Sequence, residues 1–211
     1  MNESDAKHWL SDRVSRETMD RLELYHTLLT RWQKTINLIA PSTIDSVWVR
    51  HIMDSAQLFD LASKPAHRWL DLGSGGGFPG LVVAAMAKDV CPNLTVTLVE
   101  SDIRKCGFLR EAARQMDLSV KILSRRIGDV PAQTADVISA RALSSLSNLI
   151  GHARPHMTPK TCLLFPKGMS YVAELETLPD DWQVNAEVIE SVTDSDAVIL
   201  RFRGAHLEGE G

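Results

Sequence analysis

The chain has 211 residues, 44% hydrophobic and 24% charged, enough to bury one real core and ordinary for a soluble globular protein. No apolar run approaches a bilayer span, and the polar N-terminus M-N-E-S-D-A-K-H-W-L-S-D-R argues against a signal peptide. Three scattered cysteines, Cys91, Cys106 and Cys162, fit a reducing cytoplasm and argue against a disulfide framework or a structural zinc site.

The net charge of −4 argues against indiscriminate nucleic-acid binding. Its distribution is uneven. Residues 104–126 carry seven basic side chains against two acidic ones, a local +5 that leaves −9 elsewhere. A solvated helix face is the ordinary explanation of such a run, and a phosphate-rich partner is the alternative.

The first sixty residues have a helical pattern and no strand pattern. Met19, Leu22, Tyr25, Leu28, Leu29, Trp32 and Ile36 recur at three- and four-residue steps, a stripe that must be buried. Pro41 breaks it, and Ser42 or Thr43 is placed to cap a second helix carrying Ile44, Val47, Trp48, Ile52 and Leu58. Ser63-Lys64-Pro65-Ala66 is a natural linker. Residues 1–65 are expected to form a helical extension packed on a core domain of residues 66–203, with a flexible tail at 204–211.

Arg68 to Leu72 is a short buried strand, followed by five glycines in eight positions, Gly73, Gly75, Gly76, Gly77 and Gly80. Pro79 opens an apolar helical run from Leu81 to Ala87, proline being suited to a first helical position. Beyond it strands and helices alternate. The strands are Thr95–Glu100, Val120–Leu123, Ala135–Ala140 and Thr161–Phe165; the helices are Ile103–Met116, Leu143–His152 and Tyr171–Leu178. Val184–Val192 and Ala197–Phe202 make a closing pair, antiparallel in character. This alternation predicts an α/β fold: a Rossmann-like, mostly parallel sheet with helices on both faces and an antiparallel closing strand. Ligands then bind beyond the carboxyl ends of the strands, on the loops after strands one to four.

Gly75-Gly-Gly77-Phe-Pro-Gly80 satisfies G-x-G-x-x-G, so dinucleotides must be weighed. Asp71, two residues before the first glycine, would repel a pyrophosphate but suits the cationic amino and sulfonium groups of S-adenosylmethionine. Glu100, ending the second strand, is placed to accept both ribose hydroxyls of an adenosine.

The pattern D-L-G-S-G-G-G followed by a strand-end acid resembles the class I S-adenosylmethionine-dependent methyltransferases. Within that class the chain resembles the bacterial 16S ribosomal RNA guanine-N7 methyltransferases of the RsmG (GidB) family. The resemblance rests on six ordered stretches: Trp32-Gln-Lys-Thr-Ile-Asn-Leu-Ile39, Arg50-His51-Ile-Met-Asp54-Ser55, Asp71 to Gly80, Arg104-Lys105 with Phe108-Leu109, Ser139-Ala-Arg141-Ala142, and Lys167-Gly168. It runs from about residue 25 to 170.

The resemblance implies that Gly73, Gly75 and Gly77 hold the methionine end of the cofactor and that Phe78 touches it. It implies that adenine is read at Arg126 and Ile127, where the family more often has an acid than R-R-I-G-D, and that Arg141 lies at the active site and contacts the cofactor. Arg141 and Lys167 are then candidate contacts to guanine O6 or a neighbouring phosphate. The basic helix bearing Arg104, Lys105, Arg110 and Arg114 is a candidate RNA track. His51 and Asp54, at i and i+3, can fix the N-terminal cap over the site. The substrate so implied is guanine 527 in the 530 loop of 16S rRNA in the small ribosomal subunit, methylated by a monomer.

The residues agree with that chemistry. Ser139-Ala140-Arg141-Ala142 stands where an amine methyltransferase has Asn/Asp-Pro-Pro-aromatic, and Cys162 lies in an apolar run where core is the better reading than nucleophile. Guanine N7 has a free lone pair and needs only placement. A small-molecule methyltransferase and a non-catalytic nucleotide- or RNA-binding protein remain the alternatives. Transfer to purified small-subunit RNA decides against the first, and production of S-adenosylhomocysteine against the second.

Overall fold

The computed structural model describes residues 1–62, 65–141 and 143–203. The tail at 204–211, the Ser63-Lys64 half of the linker and Ala142 lie outside them.

The chain opens with α1 (Glu3–Ser11), closed at its start by a reciprocal cap between Asn2 and Asp5, and α2 (Arg16–Gln33), whose Ser15 accepts from the Thr18 amide. The stripe anticipated in α2 is buried at Leu22, Tyr25, Leu28 and Leu29. The next segment departs from the sequence reading. It is a 3-10 turn, Pro41–Ser46, then a π-helical turn, Trp48–Met53, then α3 (Asp54–Leu61). Thr43 does not cap a helix: Pro41 occupies the first helical position, and the Thr43 hydroxyl is used elsewhere. The π turn starts on Glu3, whose carboxylate oxygens each accept one amide, from Trp48 and Val49 at 3.0 Å. An acid at a helix start is favoured electrostatically.

The core is a seven-stranded sheet made from β1 (Arg68–Leu72), β2 (Thr95–Glu100), β3 (Val120–Ser124), β4 (Val137–Ala140), β5 (Cys162–Lys167), β6 (Glu187–Glu190) and β7 (Val198–Arg203). Their order is β3-β2-β1-β4-β5-β7-β6, parallel from β3 through β5, with β7 antiparallel to both β5 and β6. The chain winds outward from β1 to β3 and then returns to β4 on the other side of β1. A crevice therefore opens beyond the carboxyl ends of β1 and β4.

Successive strand residues face opposite sides. Trp69 joins a core shared with α1–α3, α4 (Gly80–Val90) and α5 (Ile103–Gln115). Leu70 and Leu72 join the opposite core with α6 (Leu146–Ala153) and the buried Trp182 of α8 (Asp180–Val184). Helix α4 is buried from Gly80 to Ala87, as expected of a helix apolar on every side and held between sheet and N-terminal helices.

Pro79 takes the capping position of α4 rather than its first turn. Helix α7 (Tyr171–Leu175) stops three residues before the anticipated Leu178. The strand anticipated from Val184 begins only at Glu187, because Pro179 starts α8 first. Among the described residues no helix is long and apolar enough to cross a membrane.

Candidate functional site

A cleft of about 1000 Å³ lies beyond the carboxyl ends of β1 to β5. Its floor is the glycine loop, in which Gly73 and Gly75 have φ of +69° and +55°. An added Cβ on Gly75 would approach nothing closer than 3.8 Å, so backbone there is open to a ligand.

The loop is supported from beneath by α2: the fully buried Tyr25 hydroxyl donates to the Gly76 carbonyl, and burial pushes its pKa well up, keeping the hydroxyl protonated. Gly77 does not line the cleft, contrary to its expected cofactor contact. Its φ of +97° and the approach of Leu81 and Tyr25, within 2.6 and 2.8 Å of an added Cβ, explain the glycine instead. Phe78 does line the cleft.

Asp71 corrects the sequence reading most clearly. Its side chain is fully buried and absent from the cleft wall, so it does not face a bound cation. One oxygen accepts from Ser139 Oγ at 2.8 Å and the other from the Gly80 amide at 3.2 Å. Ser139 accepts in turn from Trp69 Nε1 at 2.8 Å. Asp71 shares the Trp69 side of β1, and so points under the loop toward the start of α4. Burial raises its carboxyl to about 6 despite these bonds.

Glu100 lies at the cleft as expected. Its two oxygens accept from the Gly75 amide at 2.9 Å and the Asp102 amide at 2.8 Å, fixing the carboxylate while leaving lone pairs for further donors. Arg126 and Ile127 line the edge after β3, at the short turn Ile127–Asp129. Asp129 lines the same edge and supplies an acid close to where the family's acid was missed at Arg126.

Arg141, at the end of β4, is held by the N-terminal helices. Its Nη1 donates to the Arg50 carbonyl at 2.8 Å and to Asp54 at 3.3 Å, and its Nη2 donates to His51 Nδ1. The guanidinium also lies 5.2 Å from the Phe78 ring centre. His51 and Asp54 therefore meet at Arg141. Burial, and then the charges of Arg141 and Arg50, drop His51 to about 3, so it is neutral.

Lys167 lines the cleft with its ammonium paired to Glu174 at 2.7 Å and donating to the Ser144 carbonyl at 3.1 Å. Glu174 also accepts the Leu146 amide at the start of α6, so Lys167 orders the cleft's loop as well as facing it.

Of the four basic residues on α5, Lys105 alone reaches the cleft wall. Arg104 pairs with Asp102, Arg110 donates to Ser124 and Arg114 pairs with Glu111, all on exposed surface. Arg125 and Arg126 line the cleft, whereas Arg110 and Arg114 do not. Sequence reasoning also missed Thr43, Arg50, Gly76 and Asp129 at the cleft. Arg50, Gly76 and Asp129 lay inside stretches already singled out, but nothing local marked their side chains or backbone as facing the cleft.

The open backbone of Gly75, the Glu100 carboxylate beside it and an uncluttered turn around Gly128 fit an adenosine with an amino-acid end. Together with strand order 3-2-1-4-5-7-6 they define a class I S-adenosylmethionine-dependent methyltransferase. The fold is similar to ribosomal protein L11 methylase from Lactobacillus delbrueckii subsp. bulgaricus, with TM-score 0.59 and 15% identity over 74% of this chain and 79% of that one. The GidB model, described as rRNA small subunit methyltransferase G, matches residues 18–200. Ribosomal RNA small subunit methyltransferase G of Cereibacter sphaeroides is 50% identical over 92% of this chain and 95% of its own length; that of a Ruegeria species is 44% identical over 95% and 98%. The chain belongs to this family of small-subunit rRNA methyltransferases, enzymes that use S-adenosylmethionine.

Proposed function

We propose that this enzyme methylates N7 of guanine 527, in the 530 loop of 16S rRNA, acting as a monomer in the cytoplasm on the small subunit or its RNA. The observation that carries this reading is the character of the cleft around Arg141. It presents fixed cationic donors, and its histidine already spends Nδ1 as an acceptor from Arg141. Cys106 and Cys162 are buried and offer no nucleophile. A site built this way suits a ring nitrogen with a free lone pair, which requires orientation and no proton removal.

S-adenosylmethionine, when bound, supplies the methyl group on a cationic sulfur. The residues that would hold it are Gly73, Gly75 and Phe78, with Glu100 at the ribose and Arg126, Ile127 and Asp129 near adenine. Asp71 and Gly77 act from beneath by shaping the loop. Among the described residues no hydrogen bond takes the Nε–H or the second Nη2–H of Arg141, and these two donors serve guanine O6 or a phosphate. Lys167 offers the second cation. Residues 1–65 serve as the extension that carries Arg141's acceptors, and residues 66–203 as the methyltransferase domain.

The test uses labelled S-adenosylmethionine with small subunits, and with their purified RNA, from a strain lacking this protein. Label mapping to N7 of guanine 527 is expected. Label on another atom or nucleotide, or none, overturns the proposal.

A further inference from the structure

We infer that His51 is a positioning residue for methyl transfer, acting through Arg141 by means of a single tautomer that Arg141 imposes and Thr43 braces. The inference rests on the reading of Arg141 as a substrate contact.

The proton assignments follow from donors and acceptors alone. Arg141 can only donate, so His51 Nδ1, which meets its Nη2, must be an unprotonated acceptor. A neutral imidazole then carries its proton on Nε2, which lies 2.7 Å from Thr43 Oγ1. The Thr43 hydroxyl has its own proton committed to the Ala40 carbonyl at 2.8 Å, so it must accept from Nε2–H. Every hydrogen in the series Arg141, His51, Thr43, Ala40 has one direction. Reversing the tautomer would set two donors against each other at Arg141 and two acceptors against each other at Thr43.

Other contacts hold the ring where this series needs it. His51 is 7% exposed and its ring centre lies 4.9 Å from that of Phe78, which Arg141 also covers. The π turn that carries it begins on the Glu3 carboxylate, so its backbone is tied to α1. The Arg50 carbonyl and Asp54 share the guanidinium's other edge, Asp54 itself being braced by Thr193 at 3.1 Å and Gln57 at 3.0 Å. Asp54 neutralises the cation and the Arg50 carbonyl anchors it; among the described residues His51 alone accepts from Nη2, the atom whose second hydrogen we assign to substrate.

Asparagine places its carbonyl oxygen about where Nδ1 stands, whereas glutamine reaches the Nε2 position and leaves Nη2 without its acceptor. Variants His51→Asn, His51→Gln, Thr43→Ser, Thr43→Val and Arg141→Ala are compared for methyl transfer to small subunits, for S-adenosylmethionine affinity by calorimetry and for thermal stability. His51→Gln is expected to lower kcat on the order of tenfold to a hundredfold, the scale of a misplaced catalytic group. His51→Asn should recover most of that loss. Thr43→Val should lower kcat about fivefold, the worth of one hydrogen bond, and Thr43→Ser should not. Cofactor affinity stays level in the His51 and Thr43 variants, because these two residues orient the acceptor side of the cleft.

Equal losses in His51→Asn and His51→Gln, or wild-type rates in both His51→Gln and Thr43→Val beside an impaired Arg141→Ala, overturn this inference alone. A wild-type rate in Arg141→Ala overturns the substrate role of Arg141 and this inference with it.

Discussion

Ser139 on β4 donates its hydroxyl to the buried carboxylate of Asp71 on β1 at 2.8 Å, while the same carboxylate accepts the Gly80 amide that begins α4. One side chain thereby joins two neighbouring strands to the helix after the glycine loop. Because the carboxyl is raised to about 6 from its ordinary 3.8, the folded state holds its proton more tightly than the unfolded chain does. Between about pH 4 and 6 the unfolded chain has fewer protons at this site, so Asp71 makes stability fall as pH rises, by roughly 3 kcal/mol across the window. In Asp71→Asn that fall is removed, and urea midpoints from pH 4 to 7 compared with the native chain reveal it. Parallel pH profiles would show that Asp71 does not titrate in this range.

Tyr25→Phe deletes the hydroxyl that donates to the Gly76 carbonyl and leaves that acceptor without its buried partner. The expected cost is about 1–3 kcal/mol of stability, measured by chemical denaturation, together with weaker S-adenosylmethionine binding because the loop loses its support. Unchanged cofactor affinity would show that the loop holds its shape without α2.

The glycines of the loop should separate by mechanism. Gly77→Ala forces a Cβ to within 2.6 Å of Leu81 at a φ of +97°, whereas Gly75→Ala meets no atom closer than 3.8 Å at +55°. Gly75→Ala is expected to cost about 1 kcal/mol, for backbone strain alone, and Gly77→Ala about 2–3 kcal/mol. Melting curves of the two variants give the comparison, and equal losses would refute it.

The basic residues should separate by position. Arg125 and Arg126 stand at the cleft rim, while Arg114 is paired with Glu111 and Arg110 with Ser124 on the outer face of α5. The double change to alanine at 125 and 126 is expected to lower the slope of log affinity against log salt by about 1.5 to 2. The double change at 110 and 114 should lower it less. Filter binding of 16S rRNA fragments between low and moderate salt measures both, and the reverse order would place the RNA along α5.

The methyltransferase fold was legible in the chain because strand and helix periods are local. Thr95–Glu100 alternates with the apolar face of Ile103–Gln115 over a few residues, and the glycine run between Leu72 and Gly80 has few physical uses besides close backbone approach. Position at strand ends pointed to Glu100 and Arg141, and the family resemblance added Arg126, Ile127 and Lys167; all five line one cleft. Local period does not say where a polar side chain finds its partner. Asp71 turned beneath the loop because strand alternation puts it on Trp69's side, against the start of α4. Arg141 met its acceptors about ninety residues away on a π turn, and Tyr25 reached Gly76 across fifty-one positions. Such pairings depend on how α1–α3 pack against the sheet, where burying a charge or a hydroxyl requires a partner whatever its distance along the chain. Local pattern therefore settled the scaffold and which loops line the cleft. Tertiary packing decided which of its polar residues face the cleft and which hold it in shape.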